Sequence, residues 1–162
     1  METLNTINKR RSIRKYTGAP VPREDLEKII DAGRMAPSGN NKQPWDFIVV
    51  TNKNTIQKLS KAADWSAKAG AMIAVVMDPT SKYWLEDGSA AIENILLAAT
   101  ALGYGSCWLE GYTKPHEAEF KLLLNIPQYL TLLTLIPVGV SITWPEPKNK
   151  KTLADVLHWE SF

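Results

Sequence analysis

Continuous apolar runs separated by polar turns predict a chain that contains both buried strands and helices. Four segments carry such runs or are bounded by glycines, and we predict them as strands: 45–51, 71–77, 105–111 and a stretch within 129–140. Residues 26–33 instead place Leu26, Ile29, Ile30 and Gly33 at i, i+3, i+4 and i+7, with charged residues between them. That spacing predicts an amphipathic helix with one buried face.

Residues 85–102 predict a long helix whose second half is apolar on nearly every side. A helix that is apolar all round is buried, so this one belongs at the centre of the domain or in a subunit interface. A shorter helix is predicted after a turn and cap at 52–54, and it should end near Ala63.

The C-terminal part of the chain carries more apolar surface than a solvated tail needs. A helix is predicted to start at 113–115 and to turn three apolar residues inward: Ala118, Leu122 and Leu123. The tail over 144–162 ends in five further apolar residues: Leu153, Val156, Leu157, Trp159 and Phe162. This surface needs a cover, which is either the tail's own subunit or another one.

Length and composition favour one globular domain over 1–162. The chain has 162 residues, of which 44% are hydrophobic, and its net charge of +2 is too small to predict binding to nucleic acid or a membrane. The single cysteine, Cys107, excludes an intrachain disulfide and fits a reducing compartment. No signal peptide or transmembrane run is recognisable, so we expect a cytoplasmic protein.

Most motif-based enzyme classes find no support in this sequence. Its two histidines, His116 and His158, do not form a zinc-binding pattern with each other or with Cys107. No serine lies in a Gly-x-Ser-x-Gly elbow, and no Gly-Lys pair is present to close a phosphate loop. The glycines at 103 and 105 follow a predicted helix, not a strand, which excludes a Rossmann fingerprint. A bound cofactor that carries the chemistry itself fits the residues that remain.

Basic residues gather near both ends of the chain, over 9–15 and 148–151. If a helix continued from residue 4 to residue 16, Arg10 and Arg14 would share one face and repel each other unless an anion lay between them. The alternative is a solvated helix end, where the helix dipole favours cations in any case. A phosphate would explain the arginines, with the hydroxyl of Ser12 as a neutral donor beside them.

The loop over 35–45 is rich in groups that donate and accept hydrogen bonds. Ser38, Asn40, Asn41 and Gln43 supply them, and Gly39 permits backbone conformations closed to other residues. An ordinary polar loop has the same composition, because these are the usual turn residues. A flat heterocycle with donors and acceptors would also suit these side chains.

Three motifs in order along the chain resemble the FMN-dependent nitroreductase family, in its shorter branch. The first is Arg10-Arg11-Ser12-Ile13-Arg14-Lys15-Tyr16, and the second is the loop and strand start at 36–45. The third joins Asp87 and its apolar helix to the segment 102–111. The resemblance covers most of the chain and implies an α+β sandwich, with a central mixed, largely antiparallel sheet flanked by helices, in an interlocked homodimer.

The resemblance also implies which residues contact FMN at the subunit interface. Three residues are expected to bind the phosphate and ribityl chain of FMN: Arg10, Ser12 and Arg14. Arg11 is expected close to them or at the edge of the flavin ring. The set expected to reach the flavin of the other subunit is Pro37, Ser38, Gly39 and Asn40, with Gln43 near the same cofactor. The backbone amides of Glu110 and Gly111 would face the flavin N5 region, which makes no side chain catalytic.

One position departs from the family pattern. Family members usually place an arginine late in the chain against the FMN phosphate, whereas this sequence has Lys148-Asn149-Lys150-Lys151 there. We expect Lys150 to fill that role, with Lys148 as the alternative. Lysine supplies charge but lacks the two-pronged guanidinium. Trp65 and the pair Tyr83-Trp84 are expected to line the substrate cleft.

The implied reaction has two steps at one open flavin face: NADH or NADPH reduces FMN, and a nitroaromatic, quinone or similar acceptor then oxidises it. Other interpretations stay open from the sequence. The protein could catalyse a different flavin reaction such as dehalogenation or use another electron donor. It could also hold flavin without turnover as a sensor or store, or be a structural dimer without a cofactor.

Overall fold

The computed structural model describes residues 2–110 and 115–162, with Glu110 described by its backbone alone. Its helices are α1 (Thr3–Lys9), α2 (Arg23–Arg34), α3 (Lys53–Leu59), α4 (Trp84–Ala101) and α5 (Glu117–Leu123). Its strands are β1 (Trp45–Val50), β2 (Ala71–Met77), β3 (Gly105–Ser106), β4 (Leu109–Glu110) and β5 (Thr131–Gly139). This content confirms the α+β class. No described helix is both long and apolar enough to cross a membrane.

The strands form one sheet in the order β1-β2-β5-β3, and β4 also pairs with β5. Every strand pair that the structure describes is antiparallel. A single parallel bridge joins Ser12 to Ser106 beside β3. The sheet is therefore largely antiparallel, as expected, and its parallel component is confined to this bridge in the described residues.

The predicted strands match the observed ones closely except at 105–111. That segment divides into β3 and β4, although its register against β5 continues across the gap and sets Cys107 opposite Pro137. Proline has no N–H to donate to a ladder, which explains the interruption. Gly111 lies outside the described residues.

Helices cover both faces of the sheet because β2 buries alternate side chains on opposite sides. Ile73 and Val75 join a core with α2 and α4, while Met72 and Val76 join a second core with α3 and α5. Both faces need an apolar cover, so the strand is an uninterrupted apolar run. Of the two positions expected for the long helix, α4 takes the central one, and its place in a subunit interface stays a prediction.

Two glycines, Gly33 and Gly88, let α4 pack closely on its neighbours. A Cβ at Gly33 of α2 would lie 2.7 Å from Ile95 Cγ1, and a Cβ at Gly88 would lie 2.5 Å from Leu133 Cδ2 and 3.0 Å from Met77. Real Cβ atoms do not tolerate such distances, so these glycines set how closely α4 packs on α2 and on the sheet.

Two helix predictions were wrong in detail. Helix α1 ends at Lys9, so Arg10 and Arg14 do not share a helical face. In α5, Ala118 and Leu122 are exposed, Leu123 is half-buried, and Phe120 and Lys121 are buried instead. Lys121 Nζ donates to Gln128 O (3.0 Å) and Leu130 O (2.5 Å), which compensates burial of its charge.

The apolar tail is not covered by its own subunit. Leu153 is 72% exposed, Trp159 is 78% exposed and Phe162 is fully exposed. Of the two covers considered from the sequence, the tail's own subunit is therefore not the one that buries this apolar surface. Docking of the tail on another subunit stays a prediction.

We expect Gly88→Ala to lower the free energy of unfolding by about 1–2 kcal/mol. The added methyl collides with Leu133 and Met77, and the cost of overpacking exceeds the gain in helix propensity. Urea unfolding measures the change. Glu86→Ala, on an exposed face of the same helix, is the control and should change stability by less than about 0.5 kcal/mol. Equal stability of the two variants would contradict the packing argument.

Candidate functional site

The basic residues from the two ends of the chain meet around one cavity of about 610 Å³. It is lined by Ile7, Asn8, Arg10, Arg11, Ser12, Arg14, Glu93, Pro145, Glu146, Pro147, Lys148 and Lys150. All six residues predicted from the two basic segments are present. Lys148 and Lys150 both line the cavity, so the two positions are not exclusive alternatives.

The segment after α1 is fixed against the sheet in an extended conformation. Ile13 N donates to Ser106 O (2.9 Å), and the Ile13 side chain is buried against Gly105. The buried hydroxyl of Tyr16 donates back to Ile13 O (2.8 Å). Side chains alternate along an extended chain, so burial of Ile13 directs Ser12 and Arg14 outward.

The C-terminal segment reaches the cavity by running alongside the N-terminal one. Thr17 N donates to Val140 O (3.0 Å), and Ile142 N donates to Lys15 O (3.0 Å). Trp144 Nε1 then donates to Lys9 O (3.0 Å). These bonds carry the tail past the end of α1 and place Lys148 and Lys150 near Arg10.

The cavity carries an excess of positive charge. Five cationic and two acidic side chains line it, which leaves a net charge of about +3. Arg10 Nε pairs with Glu93 Oε1 at 3.2 Å. Neither Lys148 nor Lys150 forms an ion pair with a residue that the structure describes.

Arg11 has an unused donor directed away from solvent. Its NH1 donates to Asn8 O (2.7 Å) and Arg10 O (2.8 Å), but its Nε is buried and has no partner among the described residues. Buried polar groups are nearly always paired, so an orphaned donor in a cationic cavity fits an anionic ligand.

Trp65 restricts Arg14 on the other side of this segment. The Arg14 guanidinium lies 5.7 Å from the centroid of the Trp65 ring, and that ring stacks on Tyr16 at 6.5 Å. Cation–π contact with a partly buried ring limits the positions available to the arginine. Trp65 was expected to line a substrate cleft, and the contact shown here is with Arg14.

Cys107 lies beside the same segment but is unsuited to nucleophilic chemistry. It is 2% exposed, and burial raises the pKa of its thiol despite the opposing charges of Arg14 and Arg10. A buried neutral thiol is a weak nucleophile. The described residues also contain no cluster of acidic, histidine or cysteine side chains able to hold a metal ion.

The polar loop is held in place by a buried carboxylate on α4. Gly39 N donates to Asp87 Oδ1 (3.0 Å), while Asp87 Oδ2 has no partner among the described residues. Ser38 Oγ accepts from Gln43 N (3.0 Å) and closes the loop. Asp87 was part of the third sequence motif, but its contact with the loop was not predicted.

Gly39 serves close packing and not an unusual backbone angle. The positive φ angles of this loop occur at Asn40 (52°), Asn41 (55°) and Gln43 (50°). A Cβ at Gly39 would collide with the ring of Tyr83. The unusual backbone conformations of this loop therefore lie at the amide residues after Gly39, and glycine is needed at 39 for close contact with Tyr83.

A second cavity, of about 420 Å³, opens beside this loop. It is lined by Gly39, Asn40, Lys42, Pro44, Asp78, Thr80, Ser81, Lys82 and Tyr83. None of the residues that line the basic cavity is among them. Pro37 and Gln43 are exposed and line neither cavity. The backbone of Glu110 pairs with Thr134 in the sheet, and Gly111 lies outside the described residues.

A larger cavity of about 680 Å³ lies between α2 and β1, and none of the residues predicted to bind the cofactor lines it. Its charged residues are paired with each other: Arg23 with Glu27 at 2.7 Å, and Arg34 with Asp31 at 2.6 Å. Because these charges neutralise each other, the larger cavity lacks the excess of positive charge found in the basic cavity.

Sequence reasoning missed Glu93 and Asp87 as partners of the two sites. Both lie on α4, which is otherwise strongly apolar where it meets the core. Acidic residues on such a helix are the signal that could have identified them, because a carboxylate near an apolar interface needs a polar partner.

Comparison with known proteins identifies the family. A model of the Nitroreductase family matches residues 7–82 and 65–140. The chain belongs to this family. A nitroreductase-family protein of Archaeoglobus fulgidus, provisionally named NADH dehydrogenase/NAD(P)H nitroreductase, is 42% identical over 161 residues, covering 93% of this chain and 88% of that protein.

Solved structures have the same fold. One from Parabacteroides distasonis with the same provisional name superposes with a TM-score of 0.91 at 34% identity, covering 99% of this chain and 98% of that one. A nitroreductase with bound FMN from Bacteroides fragilis superposes with a TM-score of 0.85 at 26% identity, covering 99% of this chain and 100% of the other.

We expect Asp87→Ala to release the loop at Gly39. Loss of the acceptor leaves the Gly39 amide without its partner, which should cost about 1–3 kcal/mol of stability and speed hydrogen exchange at that amide. Asp87→Asn keeps an acceptor oxygen and should lose less. Unchanged exchange at Gly39 in Asp87→Ala would show that the carboxylate does not hold the loop.

Proposed function

We propose that this protein is an FMN-dependent oxidoreductase that NADH or NADPH reduces and that passes the electrons to a nitroaromatic, quinone or similar small acceptor. The observation that carries the proposal is the basic cavity, in which Arg10, Arg14, Lys148 and Lys150 converge from the two ends of the chain. Family membership and the FMN-bound relative support the choice of cofactor.

The donor set of this cavity fits the phosphate of FMN. Arg14 and the two lysines supply charge, Ser12 supplies a neutral hydroxyl, and Arg11 Nε is a buried donor without a partner among the described residues. Phosphate oxygens accept several hydrogen bonds at once and prefer charged donors. Arg10 keeps Glu93 as a partner, so it contributes both to the site and to its attachment to α4.

Bound FMN would supply the ring that takes up and passes on electrons, so no side chain needs to act as acid or base. The chain's residues hold this group and stabilise its negative charge. Backbone amides at Glu110 and Gly111 are assigned to the reacting edge of the ring. The loop residues Ser38, Gly39 and Asn40 would contact the ring and shape the cleft that admits donor and acceptor in turn.

The complete site requires a homodimer in this proposal. Within one subunit, Gly39 and Asn40 line a different cavity from the arginines, which supports their contact with the cofactor of a second subunit. The exposed apolar side chains of Leu153, Trp159 and Phe162 supply surface for such an interface. Location in the cytoplasm is part of the same proposal.

The absorbance spectrum and anaerobic stopped-flow reduction test this function. We expect a yellow protein whose flavin absorbance is bleached by NADH or NADPH and restored by a nitroaromatic. Bleaching that only a halogenated phenol reverses would favour dehalogenation. Bound flavin that neither nucleotide reduces would favour a flavin store or sensor, and a colourless protein that does not take up FMN would favour a structural dimer.

We expect Arg14→Ala to weaken FMN binding by about 10–100-fold, because it removes a charged donor to the phosphate. Lys53→Ala, at the exposed start of α3, is the control and should bind FMN as the wild type does. Fluorescence titration of the flavin-free proteins measures both affinities. Equal affinity of the two variants would contradict the phosphate assignment.

A further inference from the structure

The cavity of about 420 Å³ beside Gly39 contains two lysines for which the proposed function has no role. Lys42 and Lys82 both line it, and both are exposed. Neither forms an ion pair with any residue that the structure describes. Two ammonium groups around one concave surface, each without a carboxylate partner there, favour an anionic ligand.

Lys82 is held at the cavity by an aromatic ring. Its Nζ lies 5.0 Å from the centroid of the Tyr83 ring, within the range of a cation–π contact. Tyr83 in turn packs against Gly39, where any side chain would collide with the ring. The ammonium group of Lys82 is thereby attached to the loop that also presents Asn40.

Lys42 is placed by the turn that follows Gly39. A short 3₁₀ turn over Gly39–Asn41 ends at Lys42, whose N donates to Gly39 O (3.1 Å). Asn40 and Asn41 adopt positive φ angles within this turn. Gly39 therefore helps to position both lysines. Its carbonyl accepts from the Lys42 backbone, and its lack of a side chain makes room for the Tyr83 ring that contacts Lys82.

Among the described residues that line this cavity, the one carboxylate, Asp78, does not pair with either lysine. Asp78 Oδ1 accepts from Thr80 N (2.9 Å) and from Thr80 Oγ1 (2.7 Å). These hydrogen bonds lower the pKa of Asp78, so it is ionised at neutral pH. With two cations and one anion the cavity keeps a net charge of about +1.

We propose that Lys42 and Lys82 bind a phosphate group of the nicotinamide nucleotide that reduces this protein. The inference rests on the proposed function, in which Gly39 and Asn40 lie at the open face of the flavin. A nucleotide whose nicotinamide stacks on that face must place its phosphates beyond the ring, and this cavity adjoins the same loop. Lysine recognises phosphate as a point charge, which suits an exposed site.

Two phosphates of the donor have this chemistry. The pyrophosphate is common to NADH and NADPH, whereas the 2′-phosphate belongs to NADPH alone. Recognition of the pyrophosphate would make the two lysines important for both donors. Recognition of the 2′-phosphate would make them the source of a preference for NADPH.

The test measures anaerobic reduction of the FMN-loaded protein as a function of NADH and NADPH concentration. We expect Lys42→Gln and Lys82→Gln each to raise the concentration for half-maximal rate about fivefold, and the double variant more, because each removes one exposed charged contact. The maximal rate should change less than about twofold, since the reacting groups are untouched. Lys82→Arg should retain most of the affinity because it keeps the charge.

Lys53→Gln is the matched control, since it removes an exposed lysine that lines neither this cavity nor the basic one. An effect on both nucleotides assigns the pyrophosphate, and an effect confined to NADPH assigns the 2′-phosphate. Higher salt should reduce the difference between wild type and variants, because it screens exposed charges.

A double variant that responds to both nucleotides as Lys53→Gln does would overturn the inference while leaving the proposed function intact. Wild-type protein that neither nucleotide reduces would contradict the proposed function itself, and this inference with it. The absorbance of bound flavin, recorded before each reduction, verifies that every variant retains its cofactor.

Discussion

The structure depends on the need to pair every backbone group of the buried strand β5. All residues of β5 after Thr131 are buried, so their N–H and C=O groups have no access to water. On one side β5 pairs with β2, with a register shift at Leu133, and on the other it pairs with β3 and β4. Leu132 N donates instead to the side chain of Glu117 (3.2 Å). Beyond the end of β5 the pairing continues between Val140 or Ile142 and the segment at 15–17.

This pairing also determines where positive charge accumulates. The N-terminal basic segment is attached to Ser106 of β3, and the tail is attached to that same segment. Both ends of the chain therefore reach one edge of the sheet, although they are more than 130 residues apart in sequence. Like charges brought together repel, so the arrangement is most stable when an anion is bound.

The sequence predicted the fold best where a single local signal was sufficient. Both faces of β2 are covered, so its run over 71–77 is apolar throughout and its bounds were predicted correctly. Contacts distant in sequence could not be predicted. Which face of α5 is buried depends on the Gln128 carbonyl, to which Lys121 donates a hydrogen bond. Glycine is needed at position 39 because the ring of Tyr83 packs against it. For the site, the basic segments were recognisable as charge, but their meeting at one cavity follows from strand pairing.

If the basic cavity binds the FMN phosphate as proposed, the two lysines at its C-terminal side affect how that phosphate is held. An arginine fork fixes the orientation of a phosphate with two parallel hydrogen bonds, whereas Lys148 and Lys150 supply charge from an exposed, proline-containing segment. The orientation of a bound phosphate would then depend on the N-terminal segment, where Arg14 contacts the Trp65 ring and Arg11 Nε is buried without a partner among the described residues. In the proposed site, the N-terminal segment would thus set the orientation of the phosphate and the tail would add charge.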